Sequence, residues 1–393
     1  MKFMNAGYDT LPRRRVSRLF LLGMLLSLAI GLGSCEPISD KDIADCRTGI
    51  ALRFVFDYHM EPGANAFSSN VDCVNVYVFD TAGNYLTQYR ETAPVLREEN
   101  YRMPIPLDLG DYHLLVFGGI ACDQAKFDFA PQWPDSRSGE TLADVRVTLP
   151  LDEEGVSGIQ LHKLAGETGP DSAPQGGLFY GTLDLHIGEE DYATDYREET
   201  VNLMKDTNNI QVILEELNSP YITDYKDFDF RIIDDNFVLN AENKVAKYLA
   251  TDDFQPGYIP YASENRIMGY VEYQDRDGAL NTEDEKRPVQ VACAEFSTSR
   301  LFLSNVETAR LVITSTVDRD SAGNPRKIID MPLITYLAAI RGFGDNWIKD
   351  DQEFLDRQSR WTLMFFLQRN VWVKARVAVN AWTVRINDIE LDY

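Results

Sequence analysis

Cys73-Val74-Asn75-Val76-Tyr77-Val78-Phe79-Asp80, then Thr81-Ala82-Gly83-Asn84, then Tyr85-Leu86-Thr87, reads as a strand, a turn and a returning strand. Val74, Val76 and Val78 alternate with Cys73, Asn75, Tyr77 and Phe79. That period of two sends successive side chains to opposite faces of a sheet. Upstream, Ile50, Leu52, Phe54 and Phe56 alternate with Ala51, Arg53, Val55 and Asp57 in the same way. Downstream the pattern recurs in Tyr112 to Phe117, in Val145, Val147 and Leu149, in Leu183, Leu185 and Ile187, and in Ile210, Val212 and Leu214. It returns in Arg310 to Thr316 and Lys327 to Met331 around a polar hairpin connection, in Val371 to Val379, and in Trp382, Val384 and Ile386. One short helix is predicted over Asp351 to Gln358, capped by Asp350 or Asp351. Residues 152–177, polar and rich in Gly and Pro, read as loops. Many short strands with few helices predict an all-β chain of two β-sandwich domains in tandem, with a boundary near residue 200.

The chain has 393 residues, enough for two domains of ordinary size. Its 44% hydrophobic and 25% charged residues are the balance of a folded globular protein. A formal net charge of -24 gives it a field that repels phosphate backbones, so no nucleic-acid partner is expected.

The N-terminus reads as an address. Arg13, Arg14, Arg15 and Arg18 precede an apolar run from Leu19 to Leu32, which is shorter than the roughly 18 residues of a spanning helix. A basic cluster ahead of a short apolar run is the pattern of a signal peptide. The run ends in Leu32-Gly33-Ser34-Cys35, which resembles the lipobox of bacterial lipoproteins. Residues 1–34 would then be removed and Cys35 acylated, since several acyl chains hold a protein stably at a membrane. Glu36, Asp40, Asp42 and Asp45 follow. This stretch, residues 35–48, reads equally as a surface-export signal and as a solvated linker.

No motif of chemistry emerges: there is no GxxxxGK[ST], no GxGxxG after a strand and no GxSxG elbow. Neither a catalytic set nor a cofactor is expected. His59, His113, His162 and His186 show no metal-ligand spacing and read as structural residues, and no CxxC occurs, so no metal is expected. Beyond Cys35, the cysteines Cys46, Cys73, Cys122 and Cys293 read as buried thiols or one disulfide, with pairing open. Asp318, Asp320 and Asn324 read as a polar hairpin turn; a Ca²⁺ loop would need a closing Glu. Tyr258, Tyr261, Tyr270 and Tyr273 read as sheet-face packing, with an exposed binding patch as the alternative.

Several segments together resemble the fimbrillin-A-associated anchor proteins of Bacteroidia. Cys46 to Phe54 resembles the family's first strand, Val71 to Asp80 followed by Gly83 its second, and His113 to Gly119 a third. Phe354-Leu355-Asp356-Arg357 and Val379 to Val384 resemble its C-terminal part. The resemblance implies two transthyretin-like, Greek-key β-sandwiches, at 49–200 and 201–393, behind a lipoprotein signal peptide. It implies a non-enzymatic base subunit of cell-surface fimbriae, held in the outer membrane by acylated Cys35 and partnered with stalk pilin subunits. Assembly by strand exchange makes Trp382, Val384 and Ile386 a candidate donor strand, because a donated strand completes a sheet edge with its main chain and fills a groove with alternate side chains. The alternatives are a stalk or tip fimbrial subunit, released by an Arg-directed cut after the first strand, and a surface glycan-binding lipoprotein.

Overall fold

The computed structural model describes residues 49–384 except 61–62, 120–140, 149–150, 157–158, 165–176, 193–194, 218–222, 237, 247–256, 272–286, 344–346, 369–370 and 380–381. The strands of its first half are β1 (Ile50–Val55), β2 (Cys73–Asp80), β3 (Tyr85–Thr92), β4 (Met103–Ile105), β5 (Gly110–Gly119), β6 (Arg146–Thr148), β7 (Leu151–Val156), β8 (Ile159–Leu164), β9 (Phe179–Ile187), β10 (Arg197–Asn202) and β11 (Met204–Lys205). A three-stranded sheet in the order β10-β1-β4 faces a five-stranded sheet in the order β11-β9-β5-β2-β3. Ile50, Leu52 and Phe54 of β1 meet Val74, Val76 and Val78 of β2 and Leu114 and Val116 of β5 in one buried cluster. The faces set by the period of two are therefore the inner faces of a sandwich.

The other face of β2 and β5 is covered too. Tyr77, Phe79, Leu115 and Phe117 pack with Val145, Val147, Leu239, Ala241 and Phe302. Double burial explains why β2 alternates between two kinds of hydrophobic residue instead of apolar and polar ones. Asp80 organises the turn that follows: its Oδ1 accepts hydrogen bonds from the amides of Ala82 and Asn84 at 2.9 and 2.8 Å. Gly83 sits at φ 83° there, a left-handed conformation that glycine adopts without steric cost.

The second half contributes β12 (Thr207–Glu216), β13 (Phe228–Ile233), β14 (Val238–Asn240), β15 (Gly257–Tyr258), β16 (Ala262–Val271), β17 (Arg287–Ser299), β18 (Arg310–Arg319), β19 (Pro325–Pro332), β20 (Arg360–Gln368), β21 (Val371–Val379) and β22 (Trp382–Val384). Two six-stranded sheets, β16-β17-β12-β20-β21-β22 and β19-β18-β13-β15-β8-β7, enclose a second core. Ile210, Val212, Phe230, Ile232, Phe296, Leu311, Trp361 and Phe365 are among its members. Two short helices lie beside it, α1 (Leu333–Ala338) and α2 (Asp351–Arg357). The Asp350 carboxylate caps α2 by accepting from the Glu353 amide at 2.9 Å, and Phe354 and Leu355 point into the core. The predicted helix and its cap are both present; α1 is an addition.

One expectation is corrected. Residues 152–177 read as loops, yet β7 and β8 pair through Leu151–Val156 and Ile159–Leu164, and β8 meets β15 at His162 and Tyr258. This hairpin sits at the end of its sheet. The pairing is made by main-chain hydrogen bonds, and the short alternation of Ile159 and Leu161 does not stand out from the polar, Gly- and Pro-rich sequence around it.

Besides the apolar contact of Leu239, Ala241 and Phe302 with β2 and β5, the two halves meet at a polar seam. Asp206, between β11 and β12, is fully buried, and its Oδ1 accepts from Asn243 Nδ2 at 2.9 Å. Arg300 donates to both carboxylate oxygens of Asp356 at 2.8 Å and to the Asn243 carbonyl at 2.7 Å. Such a bidentate pair is shorter and stronger than a neutral hydrogen bond. Beside it, the Arg357 guanidinium lies 4.1 Å from the Tyr58 ring centroid and 5.1 Å from that of Trp347, which ties the chain just after β1 to α2. Burial pushes the Asp206 carboxyl up to about 7, with the Arg300 charge opposing.

Candidate assembly surface

The first strand, on which the expectation of strand exchange bears, is built into its own sheet. β1 runs parallel to β10, with Ile50 opposite Arg197 and Val55 opposite Asn202, and antiparallel to β4 on its other side. Ile50, Leu52, Phe54 and Phe56 are all at most 6% exposed. Phe54 stacks on Phe67 with ring centroids 5.5 Å apart, and Phe56 meets Phe179 edge-on at 5.0 Å. Both ends of the strand are pinned. The Gly49 amide donates to the Asp191 carbonyl at 2.7 Å, and the Leu203 amide donates to the Val55 carbonyl at 2.7 Å. Asp191, itself buried, pairs with Arg197 at 2.9 Å.

At the other end of the chain, β22 is the outermost strand of its sheet. It is antiparallel to β21, with Trp382 opposite Val379 and Val384 opposite Val377. Ile386 lies outside the described residues, as do Leu32, Gly33, Ser34 and Cys35. Among the described residues no helix is long and apolar enough to cross a membrane.

The remaining candidates distribute as follows. Cys73 is disulfide-bonded; Cys46 and Cys122 lie outside the described residues. Cys293 is free and buried, and burial pushes its thiol up to about 11, the opposite of what a reactive cysteine needs. Tyr258 is a core residue whose hydroxyl donates to Asn236 Oδ1 at 2.6 Å. The Tyr261 hydroxyl donates to Glu295 Oε2 at 2.8 Å, Tyr270 is exposed, and Tyr273 lies outside the described residues. Buried Tyr258 therefore shares no exposed patch with Tyr270. Asp320 accepts from the amides of Ala322 and Asn324, both at 2.9 Å, in the polar turn expected there. Among the described residues no three His, Cys, Asp or Glu are grouped to hold a metal ion. His59 lies 2.9 Å from the Ala64 carbonyl, and His162 falls in β8. His113 and His186, far apart in the chain, are brought side by side on β5 and β9, which no local spacing could announce.

A protein-family model described as fimbrillin-A associated anchor proteins Mfa1 and Mfa2 matches residues 43–388. The chain belongs to this family. Its members are fimbrial anchor proteins, a structural class and not a class of enzymes, and membership makes this a fimbria-associated protein of the cell surface. Among solved structures, a candidate adhesin of Bacteroides thetaiotaomicron is 34% identical, covering 88% of this chain and 100% of its own, with a TM-score of 0.65. A candidate polysaccharide-binding protein of the same species is 26% identical, covering 87% and 99%, with a TM-score of 0.61. The fimbrial anchor protein Mfa2 of Porphyromonas gingivalis shares the fold at 17% identity, covering 86% and 98%, with a TM-score of 0.52. No curated protein matches the chain.

Proposed function

We propose that this member of the anchor family is the base subunit of a fimbria, held in the outer membrane by acyl chains on Cys35, and that it hands its C-terminal segment to the neighbouring stalk subunit. The observation that carries the reading is β1. A polymerising subunit must surrender its first strand to make a groove for a neighbour; here four large side chains of that segment fill the core between β10 and β4. A subunit whose own groove is filled accepts no donor there and can only end a polymer, which is the task of a base. Trp382–Val384, in β22, lies at a sheet edge, where main-chain groups can pair with another chain.

The test is the intact mass and the N-terminal peptide map of the native protein. An acylated Cys35 at the N-terminus with no downstream cut is the expected result. A lipid-free mature form that begins after β1 makes the protein a polymerising stalk subunit and overturns the reading.

A further inference from the structure

We propose that the concave surface on the outer face of β5 and β9 binds a neutral, hydroxyl-rich oligosaccharide, a function separate from anchoring and resting on different residues. A cavity of about 1010 Å³ opens there, at the upper end of the roughly 300–1,000 Å³ of drug-sized ligand sites. Its floor follows from strand alternation. Asp111 and His113 of β5 and Thr182, Asp184 and His186 of β9 face outward, because Leu114 and Val116 and then Leu185 and Ile187 face the core. Its walls are the turn after β2, the segment Thr141 to Ala143 and the segment Asn240 to Glu242.

Register sets Asp111 opposite His186 and His113 opposite Asp184. Each pair is bonded, Nδ1 to Oδ1, at 2.7 Å. The result is a square of alternating carboxylates and imidazoles. Each ring is held through Nδ1 and keeps Nε2 for a ligand; each carboxylate keeps its second oxygen. The walls are fixed as firmly. Asp80 is gripped by the amides of its turn, and the Thr141 hydroxyl donates to Asp144 at 2.7 Å. The Tyr180 hydroxyl donates to the Ala241 carbonyl at 2.8 Å, joining floor to wall. A site ordered in advance spends little binding energy on ordering itself.

The lining chemistry selects the ligand class by exclusion. Among the described lining residues there is no Lys or Arg to set against the carboxylates of Asp80, Asp111, Asp184 and Glu242, so a phosphate, sulfate or uronate would meet net repulsion. No metal-holding group of three exists among the described residues, so the square is not a resident metal centre. Leu142 and Leu185 are the only large aliphatic residues among those described in the lining, too few for an acyl chain. What is left is a dense set of short side chains that both donate and accept: Thr, Asn, His and carboxylate. Paired carboxylate oxygens accept from neighbouring hydroxyls, and hydrogen bonds to charged groups are the stronger kind. Tyr180, on the same face of the sheet as Thr182 and Asp184, adds aromatic surface for the C–H face of a sugar.

The experiment uses the full chain in detergent on an array of neutral manno-, galacto- and N-acetylglucosamine-type hexasaccharides, with polygalacturonate fragments and oligolysine as charged controls. Calorimetry of the strongest neutral binder then compares variants. Asp184→Asn and His186→Gln should each weaken binding by about tenfold or more, the loss of one charge-assisted hydrogen bond. Thr182→Trp, at an exposed position, should fill the floor and abolish binding with the melting temperature unchanged. Absence of binding to every neutral sugar, unchanged affinity in Asp184→Asn and His186→Gln, or tighter binding of oligolysine than of any sugar each overturns the proposal.

Discussion

Removing β1 tests the idea on which the anchor reading stands. Ile50, Leu52, Phe54 and Phe56 are almost completely buried, and burying such a side chain contributes about 1.5–3 kcal/mol. Four of them contribute about 6–12 kcal/mol, the same size as the about 5–15 kcal/mol of net stability that a whole domain has. Deleting residues 49–56 should therefore unfold the N-terminal sandwich and leave the second, whose core contains no residue of β1. Scanning calorimetry of the full chain and the deletion reads this directly: one transition disappears and the other stays. A synthetic peptide of residues 49–57 should restore the lost transition by re-entering between β10 and β4. Leu52→Ala grades the effect. A large-to-small change at a fully buried site costs about 2–5 kcal/mol, and about 2–4 °C per kcal/mol for a domain of this size gives a fall of about 4–20 °C. A deletion variant that keeps both transitions within about 2 °C of the parent refutes the argument, since β1 would then be dispensable in its own sheet.

Three further outcomes are expected. The Asp206 carboxyl is held up to about 7, from an ordinary 3.8, by burial, so the folded state binds its proton more tightly than the unfolded one. That contribution is complete below pH about 4 and is lost as pH rises through about 7. Asp206 Oδ2 and Asn243 Oδ1 have no hydrogen-bond partner among the described residues, and a proton on Asp206 gives that pair a donor. The melting-temperature difference between the parent and Asp206→Asn should therefore change between pH 5 and 8; a constant difference counts against it. Arg300→Met leaves buried Asp356 unpaired at the seam and should cost about 3–5 kcal/mol, read by denaturant titration, with an unchanged midpoint as the contrary result. Deleting Ala381 to Tyr393 should detach fimbriae from cells without moving the N-terminal transition; normal attachment speaks against a donated C-terminal segment.

What was legible in the sequence follows the range of the forces involved. β1, β2 and β5 could be read because each buries alternate residues, and α2 because Asp350 and its apolar residues act within two turns. β7 and β8 could not be, since the alternation of Ile159 and Leu161 is too short to stand out in a polar, Gly- and Pro-rich stretch. The seam was invisible for another reason. Asp206, Asn243, Arg300 and Asp356 belong to four separate segments, and a buried carboxylate looks in sequence like any other of the 62 acidic residues. His113 and His186 show no local metal spacing in the sequence, and their pairing with Asp184 and Asp111 depends on the register of β5 against β9, which only the folded sheet sets.

The parallel pairing of β1 with β10 has a mechanical consequence. Tension along the chain enters β1 at its N-terminal end and leaves β10 at its C-terminal end, toward β11 and the second sandwich. In a parallel pair those two points lie at opposite ends of the ladder. All the residue pairs from Ile50–Arg197 to Val55–Asn202 are therefore strained together in shear, instead of being peeled one after another from a free end. If the chain is held at Cys35 and loaded through its C-terminal part, as proposed, it is fastened at the point where the pull arrives.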